Sequence, residues 1–166
     1  MLHKLIHTRE DYLLTLLRAA LGVVFFAHGA QLVLGWWGGA GYAGTMQMFT
    51  HNFGIPAVFA ALAILSQFLG AIGLLFGFLT RIAAFGIAVD MVVAIFLVHV
   101  PNGFFMNWYG TQRGEGFEFH LLAIAMAVVL MARGAGALSV DHAVDRGLGG
   151  ARMRTRGYAH PLPHHG

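Results

Sequence analysis

Seven side chains with chemical potential sit inside or beside apolar runs where structure alone asks for none of them. They are Arg18, His28, Gln67, Asp90, His99, Glu118 and His120, with Glu115 just before the last two. Imidazoles titrate near neutrality, ligate metals and donate to carbonyls, and a neighbouring carboxylate fixes their tautomer. Three imidazoles and a carboxylate at one level therefore suit a haem or transition-metal site, or hydrogen bonds to the carbonyl groups of a quinone. The bland alternative for each histidine is an interfacial residue bonded to a carbonyl or to water.

The elements that must position these groups are membrane spans. Of 166 residues, 58% are hydrophobic and 10% charged, and mean hydropathy is +0.70, which excludes an ordinary soluble domain. About 20 apolar helical residues cross the hydrocarbon layer, and four runs qualify: Tyr12 to Leu34, Pro56 to Phe78, Arg81 to Val100, and the shorter Phe117 to Ala132. Backbone groups in lipid must be satisfied within the segment, so the runs read as helices rather than as a closed barrel. The predicted fold class is an all-α membrane protein, a four-transmembrane-helix bundle spanning 12–141. It is flanked by a cytoplasmic segment, 1–11, and a basic tail, 142–166.

Only Leu79 and Thr80 separate the second and third runs, so those helices are expected to be antiparallel neighbours. The other two connections, "GWWGGAGYAGTMQMFTHNFGIP" and "PNGFFMNWYGTQRG", are rich in glycine and aromatics and suit the outer interface. Lys4, Arg9, Arg18, Arg81, Arg133, Arg146, Arg152, Arg154 and Arg156 fall on one side and only Arg113 on the other. Cationic residues accumulate on the cytoplasmic side, which places both termini there. Cleavage of the first run as a signal peptide would instead leave three spans and put the tails on opposite sides.

Depth follows from a rise of about 1.5 Å per residue. Arg18 then lies about 9 Å and Asp90 about 13 Å from the cytoplasmic ends of their helices, with Gln67 near the middle of the second. These three make an inner polar group, either an Arg18–Asp90 ion pair joined by Gln67 or a snorkelling Arg18 with Asp90 capped by a neighbouring hydroxyl or amide. His28, His99, Glu118 and His120 agree in depth near the outer face to within about a turn. Glu118 and His120 are about 200° apart around a helix, so one of them must turn away from the interior, whereas Glu115 and Glu118 would share a face. Asp90 and His99 likewise fall on roughly opposite faces.

The pI of about 9.8 arises from scattered residues and a short tail, a topological signal that favours anionic headgroups rather than nucleic acid. With no cysteine there is no disulfide, thiolate cluster or cysteine nucleophile. Nor is there a dinucleotide fingerprint, a c-type haem motif or an iron–sulfur ligand set, so the chain alone does not read as a complete oxidoreductase. Copper finds soft ligands in Met46, Met48 and His51, and the tail pair His164 and His165 is a further metal candidate. Gly22, Gly29, Gly70, Gly73 and Gly77 read as close-packing positions.

Three stretches, "LLRAALGVVFFAHGAQLVLG", "FGIPAVFAALAILSQFLGAIGLLFGFLTRIAA" and "DMVVAIFLVHVPNGFFMNWYGTQRGEGFEFHLLAIAMAVVL", closely resemble the DoxX family of small four-helix membrane proteins, over about residues 12 to 141. The resemblance implies a redox association in the bacterial inner membrane, since relatives include the quinone-reducing membrane subunit of thiosulfate:quinone oxidoreductase. Arg18, His28 with Gly29, Thr80 with Arg81, His99 and the Glu115 to His120 segment match the family pattern. Many relatives carry lysine where this chain has Gln31 and glutamate where it has Gln67. Two functional expectations follow: a redox subunit binding a quinone or similar cofactor at the outer layer, or a non-catalytic accessory subunit. In either case the partners are lipids and other membrane subunits or further copies of the chain.

Overall fold

In the computed structural model, residues 5–147 are described. Lys4 and the tail residues Arg152, Arg154, Arg156, His164 and His165 lie outside them. The chain forms helix α1 (Tyr12–Leu34), a short α2 (Gly41–Gln47), α3 (Ala57–Phe76), α4 (Thr80–Ala94) and α5 (Glu118–Arg133). A π-turn (Ile95–His99) and a 3-10 turn (Val100–Asn102) prolong α4, and another π-turn (Met48–Asn52) follows α2. Three helices are long and apolar enough to cross a membrane: Tyr12–Leu34, Ala57–Phe76 and the prolonged α4, Thr80–Asn102. At 16 residues, α5 is shorter.

The long helices form a ring in which α1 packs on α3, α3 on α4, α4 on α5, and α5 back on α1. Its core draws on all four, with Leu21 and Phe25 meeting Leu74, Ile87, Met91, Ala127 and Leu130. Outward-facing Leu13, Leu16, Phe59, Phe76, Phe85 and Phe96 stay exposed, the apolar coat of a helix whose outer solvent is lipid. Close approach of α1 to α3 depends on Gly29, where an added Cβ would stand 2.6 Å from Phe68 Cα.

Helices α3 and α4 are antiparallel neighbours joined by a turn at Gly77, Phe78 and Leu79, with Gly77 at φ 67° and Leu79 at φ 48°. Leu79 offers α4 no side-chain cap. The cap comes instead from Asp141, whose Oδ1 and Oδ2 accept from Leu79 N and Thr80 N, both at 2.9 Å. Two more contacts fasten the turn: Asp141 N donates to Gly77 O at 2.9 Å, and Ser139 packs where a Cβ on Gly77 would fall 2.3 Å from its own.

The start of α1, the α3–α4 turn and the end of α5 share one end of the bundle, the basic end. The two long loops with His28, His99 and His120 occupy the other.

Candidate functional site: a histidine-lined cavity

At the histidine end the helices part and a cavity of about 480 Å³ opens inside the ring. His28 from α1, His99 from the π-turn and His120 from the first turn of α5 all line it, with Gln31, Gln67 and Glu115. Phe25, Phe119, Met48 and Met91 are among its apolar walls. The rings of His99 and His120 lie 4.0 Å apart between centroids at 45°, and the His28 ring is 6.1 Å from that of Phe119.

Local backbone sets these positions. A π-turn holds an extra residue per turn and rotates whatever follows it. His99, the last residue of that turn, faces the cavity, while Asp90, nine residues earlier, faces a different space. His99 Nδ1 donates to Glu115 O at 2.8 Å, which in a neutral ring leaves Nε2 as the acceptor. His120 is 6% exposed, and its Nδ1 is buried with no hydrogen-bond partner.

Of the Glu118 and His120 pair, α5 turns His120 inward. Glu118 does not line the cavity; its Oε1 accepts from Met106 N at 2.9 Å and from Trp108 Nε1 at 3.3 Å, holding the loop above. Glu115 does line the cavity; its backbone O accepts from His99, and its Oε2 accepts from Asn107 N of the loop at 2.6 Å. Because α5 begins only at Glu118, the helical spacing expected to place Glu115 and Glu118 on one face does not apply. The two glycines of "GEGFEFH" carry the signal that this segment is loop.

The inner polar group divides. Arg18 and Asp90 do not meet, and no ion pair joins them. Arg18 is 2% exposed, and its guanidinium donates to Leu75 O at 2.9 Å, Ala135 O at 2.9 Å, Leu138 O at 2.6 Å and to Leu74 O. Two of these carbonyls lie in the last turn of α3, where intrahelical donors thin out and the helix dipole is negative. Asp90 accepts instead from the Ser66 hydroxyl on α3, the neighbouring-hydroxyl arrangement that the sequence left as the other alternative. Gln67 stands between the two spaces, lining both the histidine cavity and a groove that contains Ser66 and Asp90.

A second arginine repeats the device that sequence reasoning did not assign. Arg81 on α4 donates to Met131 O and, at 3.2 Å, to Ala132 O at the end of α5, and at 3.0 Å to His7 O.

Among the described residues no three His, Asp or Glu side chains converge as a metal-holding group. Met48 lines the cavity from the start of the π-turn, while Met46 lies in α2 and His51, later in the same turn, is exposed.

The DoxX family profile matches residues 13–100, which include α1, α3 and His28, Asp90 and His99. The chain belongs to the DoxX family. It is similar to "Inner membrane protein YqjF" of Escherichia coli, 31% identical over 115 residues that cover 69% of this chain and 83% of that protein. It is also similar to "Putative oxidoreductase CatD" of Bacillus subtilis, 28% identical over 132 residues, 80% of this chain and 87% of that one. No solved structure matches it significantly. Family membership and three helices able to cross a bilayer make this DoxX protein a multi-pass inner-membrane protein in contact with lipid.

Proposed function

We propose that the histidine cavity binds the head of a quinone-type carrier and that this DoxX protein is the membrane subunit of an oxidoreductase. The observation that carries the reading is His120: a buried imidazole nitrogen without a partner, beside His28 and His99 in one cavity. Buried polar atoms nearly always find a partner, and here one that lacks it belongs to a residue lining a cavity with two further imidazoles. The cavity falls within the roughly 300–1,000 Å³ of pre-formed small-molecule sites, and its mix of aromatic walls and few polar groups matches a flat apolar ring with two carbonyl oxygens. A bound quinone supplies the capacity to take up two electrons and two protons; the electrons come from a partner, as the chain has no other redox centre in its sequence.

The chain's own part is to bind and orient. His120 and His28 supply ring nitrogens for the carbonyl oxygens, and His99, held by Glu115 O, presents Nε2 as a hydrogen-bond acceptor. Glu118 acts one step back by holding the Met106–Trp108 loop over the site. The oxidoreductase in the printed name of the Bacillus subtilis relative supports the redox class. The arginine bias supports a cytoplasmic basic end, with α5 as a fourth crossing and the cavity near the outer face.

The accessory-subunit reading draws on a separate observation. Trp37 is 66%, Trp108 79% and Tyr109 91% exposed around the loops of the histidine end, and aromatic rims of this kind meet either headgroups or another subunit.

Equilibrium dialysis of the purified protein against a tail-less dimethoxy-methyl benzoquinone decides between them. Binding that weakens about tenfold in His120→Phe, as expected for a lost hydrogen bond of roughly 1–1.5 kcal/mol, supports the quinone site. A protein that binds none, and whose extracted lipid carries no quinone, overturns it and leaves the accessory role.

A further inference from the structure

A second space of about 470 Å³ lies on the lipid side of α3 and α4. Its floor is set where the two helices close together: Ser66 bonds Asp90, and a Cβ added to Gly86 would stand 3.2 Å from Ser66 Cβ. Toward the basic end Gly70 and Gly73 keep the helices tight, with α4 atoms within 3.6 Å of where their Cβ atoms would be. Toward the histidine end the helices open into a groove that runs roughly 10 Å along each, from Ser66 to Phe59 and from Gly86 to Val93. Its rims, Phe59, Leu62, Phe85 and Leu97, are 46–63% exposed, so the mouth faces the bilayer rather than either aqueous side.

This groove shares a wall with the histidine cavity. Phe49, Phe53, Gln67, Ala94 and Val98 line both, so the partition between them is one layer of side chains. Gln67 is the polar member of that layer, and the two phenylalanines come from the loop around the π-turn after α2.

We propose that the groove holds the apolar tail of the carrier whose head occupies the histidine cavity, and that the carrier enters sideways from the membrane across the Gln67 layer. The proposal rests on the quinone reading of that cavity. Its independent support is the shared wall together with the character of the groove: apolar almost throughout, open to lipid, and with its one carboxyl turned onto Ser66 instead of outward. A polyisoprenoid or alkyl chain leaving the head through this wall stays in surroundings like those it occupies in the bilayer, whereas an exit at the loops would carry it toward water.

The experiment uses the full-length protein in nanodiscs and two probes with the same dimethoxy-methyl benzoquinone head, one tail-less and one with a ten-carbon tail, each expressed per lipid. Ala63→Trp and Val93→Trp fill the groove at positions that do not line the histidine cavity; Val93 is 43% exposed, so at least that variant has room for the indole. The expected result is about tenfold tighter binding of the tailed probe, a gain that both variants abolish while binding of the tail-less probe stays within about twofold. Equal binding of the two probes, or a tail gain that survives both variants, overturns the groove while the head site stands. Loss of tail-less binding in both variants overturns the separation of groove from cavity. If neither probe binds the unmodified protein, the head site itself fails.

Discussion

At the scale of single residues, direction as well as depth decides what a polar side chain meets. Counting along the helices put Arg18 and Asp90 within reach of one another, yet each bonds elsewhere. Side chains on a helix lean toward its N-terminus, so Arg18 drops to the basic end, where carbonyls of Leu74, Leu75, Ala135 and Leu138 surround it. Asp90 faces the α3–α4 groove and takes Ser66. Arg18→Ala should therefore lower the melting temperature in detergent sharply, by the equivalent of about 3 kcal/mol, because it strips donors from buried carbonyls. Asp90→Ala should cost about 1 kcal/mol, the worth of an ordinary hydrogen bond. The two losses should add to within about 0.5 kcal/mol in the double variant; a larger coupling would restore the ion pair. The common depth of His28, His99 and His120 was legible by counting, as was the conflict between Glu118 and His120. Which of the two turns inward was not, because that depends on the loop that Glu118 holds.

At the scale of elements, the ends of three apolar runs were readable to within two residues, and the tight α3–α4 turn followed from its length alone. The third run hid more: its last turns are π and 3-10, not α, and nothing in an apolar run announces an extra residue in a turn. Asp141 was equally hidden, since it caps a helix 61 positions away. A signal existed all the same, because α4 starts behind a leucine that cannot cap. Asp141→Ala should cost roughly 1–2 kcal/mol in thermal melts, the usual loss for an N-cap, and Asp141→Asn less, since one oxygen remains to accept. Glycines give a second contrast. Gly29→Ala puts a methyl 2.6 Å from Phe68 Cα and should destabilise by about 1–3 kcal/mol through overpacking. Gly70→Ala meets its nearest atom at 3.6 Å and should be neutral or gain up to about 1 kcal/mol of helix propensity. Equal effects in the two would mean that α1 and α3 are not held as closely as described.

At the scale of the whole molecule, the composition and the arginine bias were enough to specify a helical membrane protein and its two unlike ends. The tight core gathers toward the basic half and the two spaces toward the histidine half, a division that the hydropathy of whole runs does not show. The absence of native cysteine makes topology directly measurable. Gln112→Cys, in the loop at the histidine end, should react with a membrane-impermeant maleimide in intact cells once an outer membrane, if present, is made permeable. Gly147→Cys, at the basic end, should react only after the inner membrane is opened. Equal reaction of both from one side would overturn α5 as a crossing helix.

The guanidinium of Arg18 also sets an order of assembly. Its four acceptors lie 56, 57, 117 and 120 positions further along the chain, so none of them belongs to the first helix. Until the segment after α5 arrives, two of its four acceptors, Ala135 O and Leu138 O, are missing. A chain cut before Ala135 should therefore hold Arg18 by the α3 carbonyls alone and be less stable for it.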